Sequence, residues 1–303
     1  MMRRVAVTTG SFGAQDDKPV SILREKGYEV LFNTTGRTLQ ADEVIEFCSG
    51  VAGFVAGTEK LDAATLERLP GLKVISRCGT GVDNIDLEAA KRLGIVVYNT
   101  PDAPTDAVAE LTIGLIISLL RHIPRSDRDE RSGVWKKRMG NLLSGKRIGI
   151  LGFGRIGQRV AELAASFGCC IAFHDTFHTG NCQGVASMPK EELLAWSDIV
   201  SIHASSGGCL IGPMELELMK QGSWLVNAGR GGMIDEEALL QALESGRIAG
   251  AALDVYSREP YDGPLKGLDM IILTPHIGSY AHESRVRMEC EAAENLMKGL
   301  EPL

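Results

Sequence analysis

The chain has 303 residues, 44% of them hydrophobic and 23% charged, with a formal net charge of −7. That balance excludes a disordered chain, and the acidic excess excludes an extended nucleic-acid surface, because phosphate binding needs a basic field. The seven cysteines (48, 78, 169, 170, 182, 209 and 290) form no C-x-x-C pair and no cysteine–histidine cluster with zinc spacing. The expectation is reduced thiols in a cytoplasmic protein, with neither a metal site nor a disulfide framework.

The opening MMRRVAVTTG has two arginines but no apolar core, so no signal peptide is expected. Through the first hundred residues VAVTT, YEVLF, GFVAG, LKVIS and IVVYN read as short buried strands. PVSILREKG, ADEVIEFC, DAATLERL and DLEAAKRLG between them read as helices, predicting a compact open α/β domain. The segment NTPDAPTD (99–106), with two prolines, marks a crossing to a second domain. Beyond it Val108, Leu111, Leu115, Ile116 and Leu119 fall on one face of a long helix. Its apolar stretch LTIGLIISLL is about half of what a membrane span needs, which predicts a buried helix in a soluble protein. The charged stretch 121–138 fits either a solvated connection or a dimer-forming arm. A second α/β unit opens at KRIGILGFGRIG and continues through CIAFHD, IVSIH, SWLVNA, GAALDV and MIILTP. HESRVRMECEAAENLMKGL closes the chain as an amphipathic helix.

G-F-G-R-I-G at 152–157 lies between the apolar run RIGIL and the helical stretch QRVAELAASFG, the context a dinucleotide loop requires. Gly152 permits the tight turn, Gly154 lets a pyrophosphate approach the backbone, and Gly157 lets the helix pack on the strand. Arg155 and Ile156 complete the loop, whose helix-start N–H groups suit phosphate. Asp175, at the end of the next strand, suits the adenosine ribose hydroxyls and would repel a 2′-phosphate, favouring NAD over NADP.

Three later segments each follow a predicted strand with a reactive side chain: VNAGRGGMIDEEAL (Arg230), LDVYSREP (Glu259) and LTPHIGS (His276). In a doubly wound sheet, ligands bind at the carboxyl ends of the strands, where these three could converge. Oxidation of a 2-hydroxy acid needs a cation for the substrate carboxylate and C2 oxygen, a task suited to the guanidinium fork of Arg230. It needs a base for the hydroxyl proton, for which His276 is the candidate, and a carboxylate to orient and charge that imidazole, for which Glu259 is. Taken singly, the three fit better as a surface ion pair, a loop charge and a satisfied polar group.

SRCGTGVDNIDLEAAKRLGIVVYNTP, GKRIGILGFGRIGQRVA, VNAGRGGMIDEEAL, ALDVYSREP and TPHIG together resemble the D-isomer-specific 2-hydroxyacid dehydrogenases, in particular their phosphoglycerate dehydrogenase-like branch. The resemblance implies two open parallel-sheet domains: a flavodoxin-like split substrate domain, 1–100 plus 280–303, and an inserted Rossmann NAD-binding domain, 101–279. It also implies a homodimer, and the roles given above to Arg230, Glu259 and His276. Arg77, Gly79, Thr80 and Gly81 match the family's substrate loop, where backbone N–H groups hold the carboxylate, and Ala228 and Asp254 match positions near the nicotinamide. Asp254 reads equally as a buried polar group at a strand end. Glu259 stands where the related formate dehydrogenases carry Gln, which sets that activity aside.

The chain also departs from the pattern. Gly57 stands where phosphoglycerate dehydrogenases place an arginine for the substrate phosphate, leaving Lys60 or Arg77 as replacements, and Pro104 replaces the usual Asn near the crossing. The loop HASSGGCLIG (203–212) is short, with His203 expected as a wall of the cofactor site, and with the sequence ending at Leu303 no C-terminal regulatory domain is expected. The expected function is therefore hydride transfer between NAD and a small 2-hydroxy acid, with phosphoglycerate, glycerate and sulfonated or phosphonated acids all open. The alternative is an NAD(H)-sensing binding protein of the same fold.

Overall fold

The computed structural model describes residues 3–205 and 208–301. The chain divides into two compact units, one formed by the residues up to Pro104 together with those from Ser279 onward, the other by Thr105–Gly278.

In the first unit, β1 (Arg3–Val7), α1 (Lys18–Glu25), β2 (Tyr28–Phe32), α2 (Ala41–Phe47), β3 (Gly53–Ala56), α3 (Ala63–Glu67), β4 (Val74–Arg77), α4 (Leu87–Arg92) and β5 (Val96–Asn99) alternate along the chain. The strands form one parallel sheet in the order β2-β1-β3-β4-β5, the flavodoxin-like arrangement. The short helices start where the side chains of Asp62 and Asp86 accept from the backbone N–H groups of Thr65 and Ala89. Val5, Val7, Val55 and Val74 of the sheet share a core with Met288, Ala292 and Leu296 of the C-terminal helix, His282–Leu300. Thr8 and Thr9, expected to extend the first strand, lie beyond its end, where Thr8 turns its hydroxyl to Val55 O and to Glu59.

The second unit begins with α5 (Thr105–Leu120) and α6 (Ile123–Arg131), followed by β6 (Arg147–Leu151), α7 (Arg155–Ser166), β7 (Cys170–His174), β8 (Asn181–Cys182), β9 (Val185–Ser187), α8 (Lys190–Trp196), β10 (Ile199–Ile202), α9 (Pro213–Leu218), β11 (Ser223–Asn227), α10 (Glu236–Glu244), β12 (Ile248–Leu253) and β13 (Ile271–Leu273). The sheet order is β13-β12-β11-β10-β6-β7-β9-β8, parallel except for the terminal β8–β9 pair. Strand order reverses between β6 and β10, the switch point at which doubly wound sheets bind dinucleotides.

The single buried face expected for α5 is too narrow. Ala109, Thr112, Ile113 and Leu120 are buried as well as Val108, Leu115, Ile116 and Leu119, while Leu111 is half-buried. The helix packs on both α7 and the sheet strands β11–β13, so most of its circumference is apolar for a structural reason. The charged stretch after it holds α6, which buries none of its residues and is braced by the Arg131–Asp127 pair one turn apart.

Candidate active site

The glycine loop leaves β6 at Leu151. Gly152 has φ +90°, and a Cβ there would run into the Ala204 backbone; one at Gly157 would strike the Gly152 carbonyl. Gly154 differs, because nothing lies within 4 Å of the position its Cβ would take. Glycine is imposed at 152 and 157 by the protein itself, whereas the space above Gly154 stays open, as close approach of a pyrophosphate demands. Gly154 also caps α7 without a side chain, leaving the helix-start N–H groups to a ligand. Arg155 is exposed and Ile156 half-buried in the first turn of α7.

Asp175 lies just past β7. Its carboxylate accepts from the N–H of Phe153 in the glycine loop (2.6 Å) and from the N–H groups of Phe177 (2.7 Å) and His178 (2.9 Å). Burial pushes this carboxyl up, but the N–H groups of His178, Phe153 and Phe177 and the His178 ring outweigh it and hold it below the usual range. A negative charge is therefore fixed beside the loop, and these residues fit the adenosine half of a nicotinamide dinucleotide.

Arg230 follows β11 in a braced turn. The buried Asn227 side chain accepts from Gly229 N–H (3.0 Å) and donates to Arg230 O (3.0 Å). Ala228 between them is buried. A side chain at Gly231 would collide with the Tyr256 carbonyl, so this glycine lets the Arg230 turn lie against the end of β12.

Glu259 and His276 follow β12 and β13. His276 Nδ1 lies 2.8 Å from Glu259 Oε2, and Glu259 Oε1 accepts from Tyr256 N–H (3.2 Å). His276 takes a left-handed backbone, φ +54°, unusual for a residue with a Cβ. The turn is held by Asp254, 1% exposed, whose carboxylate accepts from the Thr274 hydroxyl (2.6 Å), Ile277 N–H (2.8 Å) and Gly278 N–H (2.8 Å). The Tyr256 hydroxyl, pushed up to about 12 chiefly by burial, lies 2.9 Å from Thr274 O and 3.0 Å from Leu253 O. The hydrogen bond to Glu259 raises His276 above the ordinary imidazole range against the cost of burial; Asp254 adds to the rise and the Arg230 charge opposes it. Burial pushes Glu259 up, but the bond to His276 and its charge prevail and hold that carboxyl low. Neither Tyr256 nor Thr274 was predicted as part of the site, although the blocks ALDVYSREP and TPHIG contain them.

His203, buried at the end of β10, has Nε2 2.8 Å from Ser201 Oγ and no partner for Nδ1 among the described residues. Burial pushes it down to about 4, so it stands as a neutral imidazole. Ser206 and Gly207 of the short loop after it lie outside the described residues.

The predicted substrate loop lies in the first unit, after β4. Gly79, at φ +143°, donates its N–H to Thr100 Oγ1 (2.8 Å) and so does not hold it ready for a carboxylate, contrary to expectation for that residue. Thr80 is different: its hydroxyl is buried without a hydrogen-bond partner among the described residues, and its carbonyl accepts from Asn99 Nδ2 (2.7 Å). Gly81 follows it, and Arg77 folds one guanidinium nitrogen onto the Cys78 carbonyl. Lys60 is exposed and paired with Asp62 at 3.0 Å.

In the second unit, an imidazole raised in pKa by a carboxylate, within the field of a guanidinium, stands on the same strand-end face as a dinucleotide cradle. That is the equipment of an oxidoreductase that moves a hydride and a proton together. The sequence profile of the D-isomer specific 2-hydroxyacid dehydrogenase NAD-binding domain matches residues 113–278, and the chain belongs to this family of enzymes. It is 41% identical over 257 residues to a glyoxylate reductase of Aeropyrum pernix, covering 79% of this chain and 77% of that protein. It is 37% identical over 298 residues to a D-3-phosphoglycerate dehydrogenase of Archaeoglobus fulgidus, covering 94% of this chain but 56% of that longer protein. Among solved structures, the TT0316 protein of Thermus thermophilus superposes with a TM-score of 0.91 at 37% identity, covering 98% of this chain and 96% of that one.

Proposed function

We propose that the chain interconverts a small 2-keto acid and the corresponding 2-hydroxy acid with NAD(H), using His276 as acid and base, Glu259 as its orienting partner and Arg230 as the cation for the substrate carboxylate and C2 oxygen. The observation that carries this reading is the 2.8 Å contact between His276 Nδ1 and Glu259 Oε2. With Nδ1–H donated to the carboxylate, Nε2 is the ring nitrogen left to meet a substrate oxygen. In the reducing direction, protonated His276 gives its Nε2 proton to the keto oxygen as that oxygen gains charge, while Arg230 polarises it. In the oxidising direction, neutral Nε2 removes the hydroxyl proton and Glu259 stabilises the resulting imidazolium. The nicotinamide supplies or accepts the hydride at C2 when the dinucleotide is bound. Gly152, Gly154 and Gly157 shape the loop that would hold its pyrophosphate, Ala228 and Asp254 stand toward the nicotinamide half, and Asp175 selects NAD by refusing a 2′-phosphate. Family resemblance also supports a homodimer, for which the exposed side chains of Trp135, Met139 and Leu142 offer an apolar surface.

The reading is tested by following NADH and NADPH oxidation by purified protein against glyoxylate, hydroxypyruvate, phosphohydroxypyruvate and sulfopyruvate. Turnover of at least one acid is expected, faster with NADH, with kcat/KM falling on the order of 10²–10⁴-fold in His276→Ala. No turnover with either dinucleotide, or an equally active His276→Ala, would sink the enzyme mechanism. Preference for NADPH would remove the role given to Asp175.

A further inference from the structure

The second unit has a cleft at the end of its sheet remote from the catalytic turns. Glu259 and His276 follow the carboxyl ends of β12 and β13, whereas the cleft lies where β11, β12 and β13 begin, beside Trp224, Gly250 and Asp269. Its other wall is the bend between α5 and α6, with Leu119, Arg125 and Arg128. His122 makes that bend in a left-handed conformation, φ +54°, and α6 starts there without a side-chain cap, an end of a helix that favours anions. A Cβ at Gly250 would come within 2.8 Å of the Met270 carbonyl, so this wall carries no side chain. The cleft holds about 30 Å³, room for about two waters.

Donors outnumber acceptors in this cleft. Two guanidiniums line it against a single carboxylate, that of Asp269 on the exposed rim. Arg125 Nη2 lies 3.0 Å from Asp269 Oδ2, and Arg128 Nη2 lies 3.2 Å from Oδ1. Arg125 Nε is buried and has no hydrogen-bond partner among the described residues. The Nε–H and Nη2–H groups of an arginine form the edge that a carboxylate meets with both oxygens. Asp269, shared with Arg128, occupies only the Nη2 half of that edge. A buried N–H left without an acceptor is costly, and an oxyanion in the cleft would remove that cost.

We propose that this cleft is a second binding site, separate from the catalytic one, for the carboxylate of a small monocarboxylic acid. Room for about two waters suits the two oxygens of a carboxylate better than the four of a phosphate. Arg125 supplies the unpaired Nε–H and Arg128 the second positive charge, while Trp224 and Leu119 face the apolar part of the ligand. Asp269 competes with the ligand for the Arg125 edge, so the site is tuned by a carboxylate of the chain itself. All of these residues belong to one compact unit, and none of them takes part in hydride or proton transfer.

The test is titration of the full chain with butyrate, followed by tryptophan fluorescence and by calorimetry, with butanol as the neutral control and inorganic phosphate as the larger anion. Saturable binding of butyrate is expected, with none of butanol and weaker binding of phosphate. Arg125→Gln should weaken butyrate about tenfold or more, as a charge-assisted contact is lost. Asp269→Asn should tighten it several-fold, because a like charge is removed. A general salt effect or a loss of fold would not give these opposite signs. Trp224→Phe should lose the fluorescence change and keep the heat of binding. Arg230→Ala, which strips the catalytic site of its carboxylate cation, should keep the Arg125-dependent binding. Absence of saturable binding, tighter binding of phosphate, an unchanged Arg125→Gln, or loss of binding in Arg230→Ala would each overturn the proposal. Should Arg125→Gln fail to fold, Asp269→Asn decides, and an affinity no higher than the parent's would overturn it. No turnover is needed, so the site stands or falls apart from the oxidoreductase reading.

Discussion

Each unit carries a carboxylate that is 1% exposed and accepts from a threonine hydroxyl and from backbone N–H, two groups at Asp254 and one at Glu59, yet the two do opposite things to their loops. Asp254 reaches from the end of β12 to Thr274, Ile277 and Gly278, on both sides of His276. Glu59 reaches back two residues to Gly57 and across to Thr8, closing its own loop. Asp254 holds a left-handed His276 in a turn that keeps the imidazole half-exposed. Glu59 fills space with its own side chain and occupies the Gly57 N–H with both of its oxygens. A buried carboxylate thus orders another residue's turn when its partners flank that residue, and closes its own loop when they lie beside itself.

The sharpest way to break this comparison is Asp254→Ala. It leaves two buried N–H groups and a hydroxyl without an acceptor, a loss of about 3 kcal/mol or more at 1–3 kcal/mol each with partial relaxation. It also frees the turn on which His276 sits, so kcat is expected to fall on the order of 10²-fold, as displacement of a catalytic group by an ångström does. Thermal unfolding and steady-state kinetics on one preparation check both. If stability drops while kcat stays within threefold, Asp254 supports the fold alone and the catalytic half of the comparison is gone.

Legibility followed the same divide. Arg230, Glu259 and His276 could be picked out because each ends a strand that reads clearly, and because SWLVNA, GAALDV and MIILTP place those ends on one face of a parallel sheet. The expected strand GAALDV runs too far: β12 stops at Leu253, and the Asp254 side chain turns away to hold Thr274, Ile277 and Gly278. The hairpin Asn181–Cys182 with Val185–Ser187 escaped notice, since strands of two or three residues show no periodicity. Glu59 escaped for a different reason. A single glutamate between Thr58 and Lys60 reads as a solvated charge, and nothing local indicates that Thr8 waits beneath it.

Glu259→Gln sharpens the catalytic half of the comparison by separating orientation from charge. Glutamine still offers an oxygen to Nδ1 but no longer raises His276, so the imidazole titrates at lower pH than in the native chain. Keto-acid reduction requires the protonated ring, which the native chain retains up to its raised pKa. The variant should therefore lose reduction at lower pH than the parent, while hydroxy-acid oxidation, which requires the neutral ring, should switch on at lower pH. Rates are expected to fall on the order of 10- to 100-fold near neutrality in the reducing direction. Matching pH–rate profiles of kcat/KM for variant and parent would show that Glu259 only orients the ring.

The smallest expected effect concerns what holds Glu59 in place, and it turns on the order of two variants. Thr8 is 1% exposed, and its hydroxyl contacts both Val55 O and the Glu59 carboxylate. Thr8→Val keeps the volume and removes the hydroxyl, leaving a buried carboxylate short of one donor, a cost of about 1–3 kcal/mol. Thr8→Ser keeps the hydroxyl and removes a methyl, a cost of about 1 kcal/mol. If the hydroxyl is what retains Glu59, valine should be the worse of the two by denaturant unfolding, despite filling the site better. If serine is worse, packing around β1 holds the loop, and Glu59 is buried by the shape of its surroundings rather than drawn in by donors. Only in the first case would Thr8 and Glu59 act as one unit whose joint replacement costs less than the sum of the two single changes.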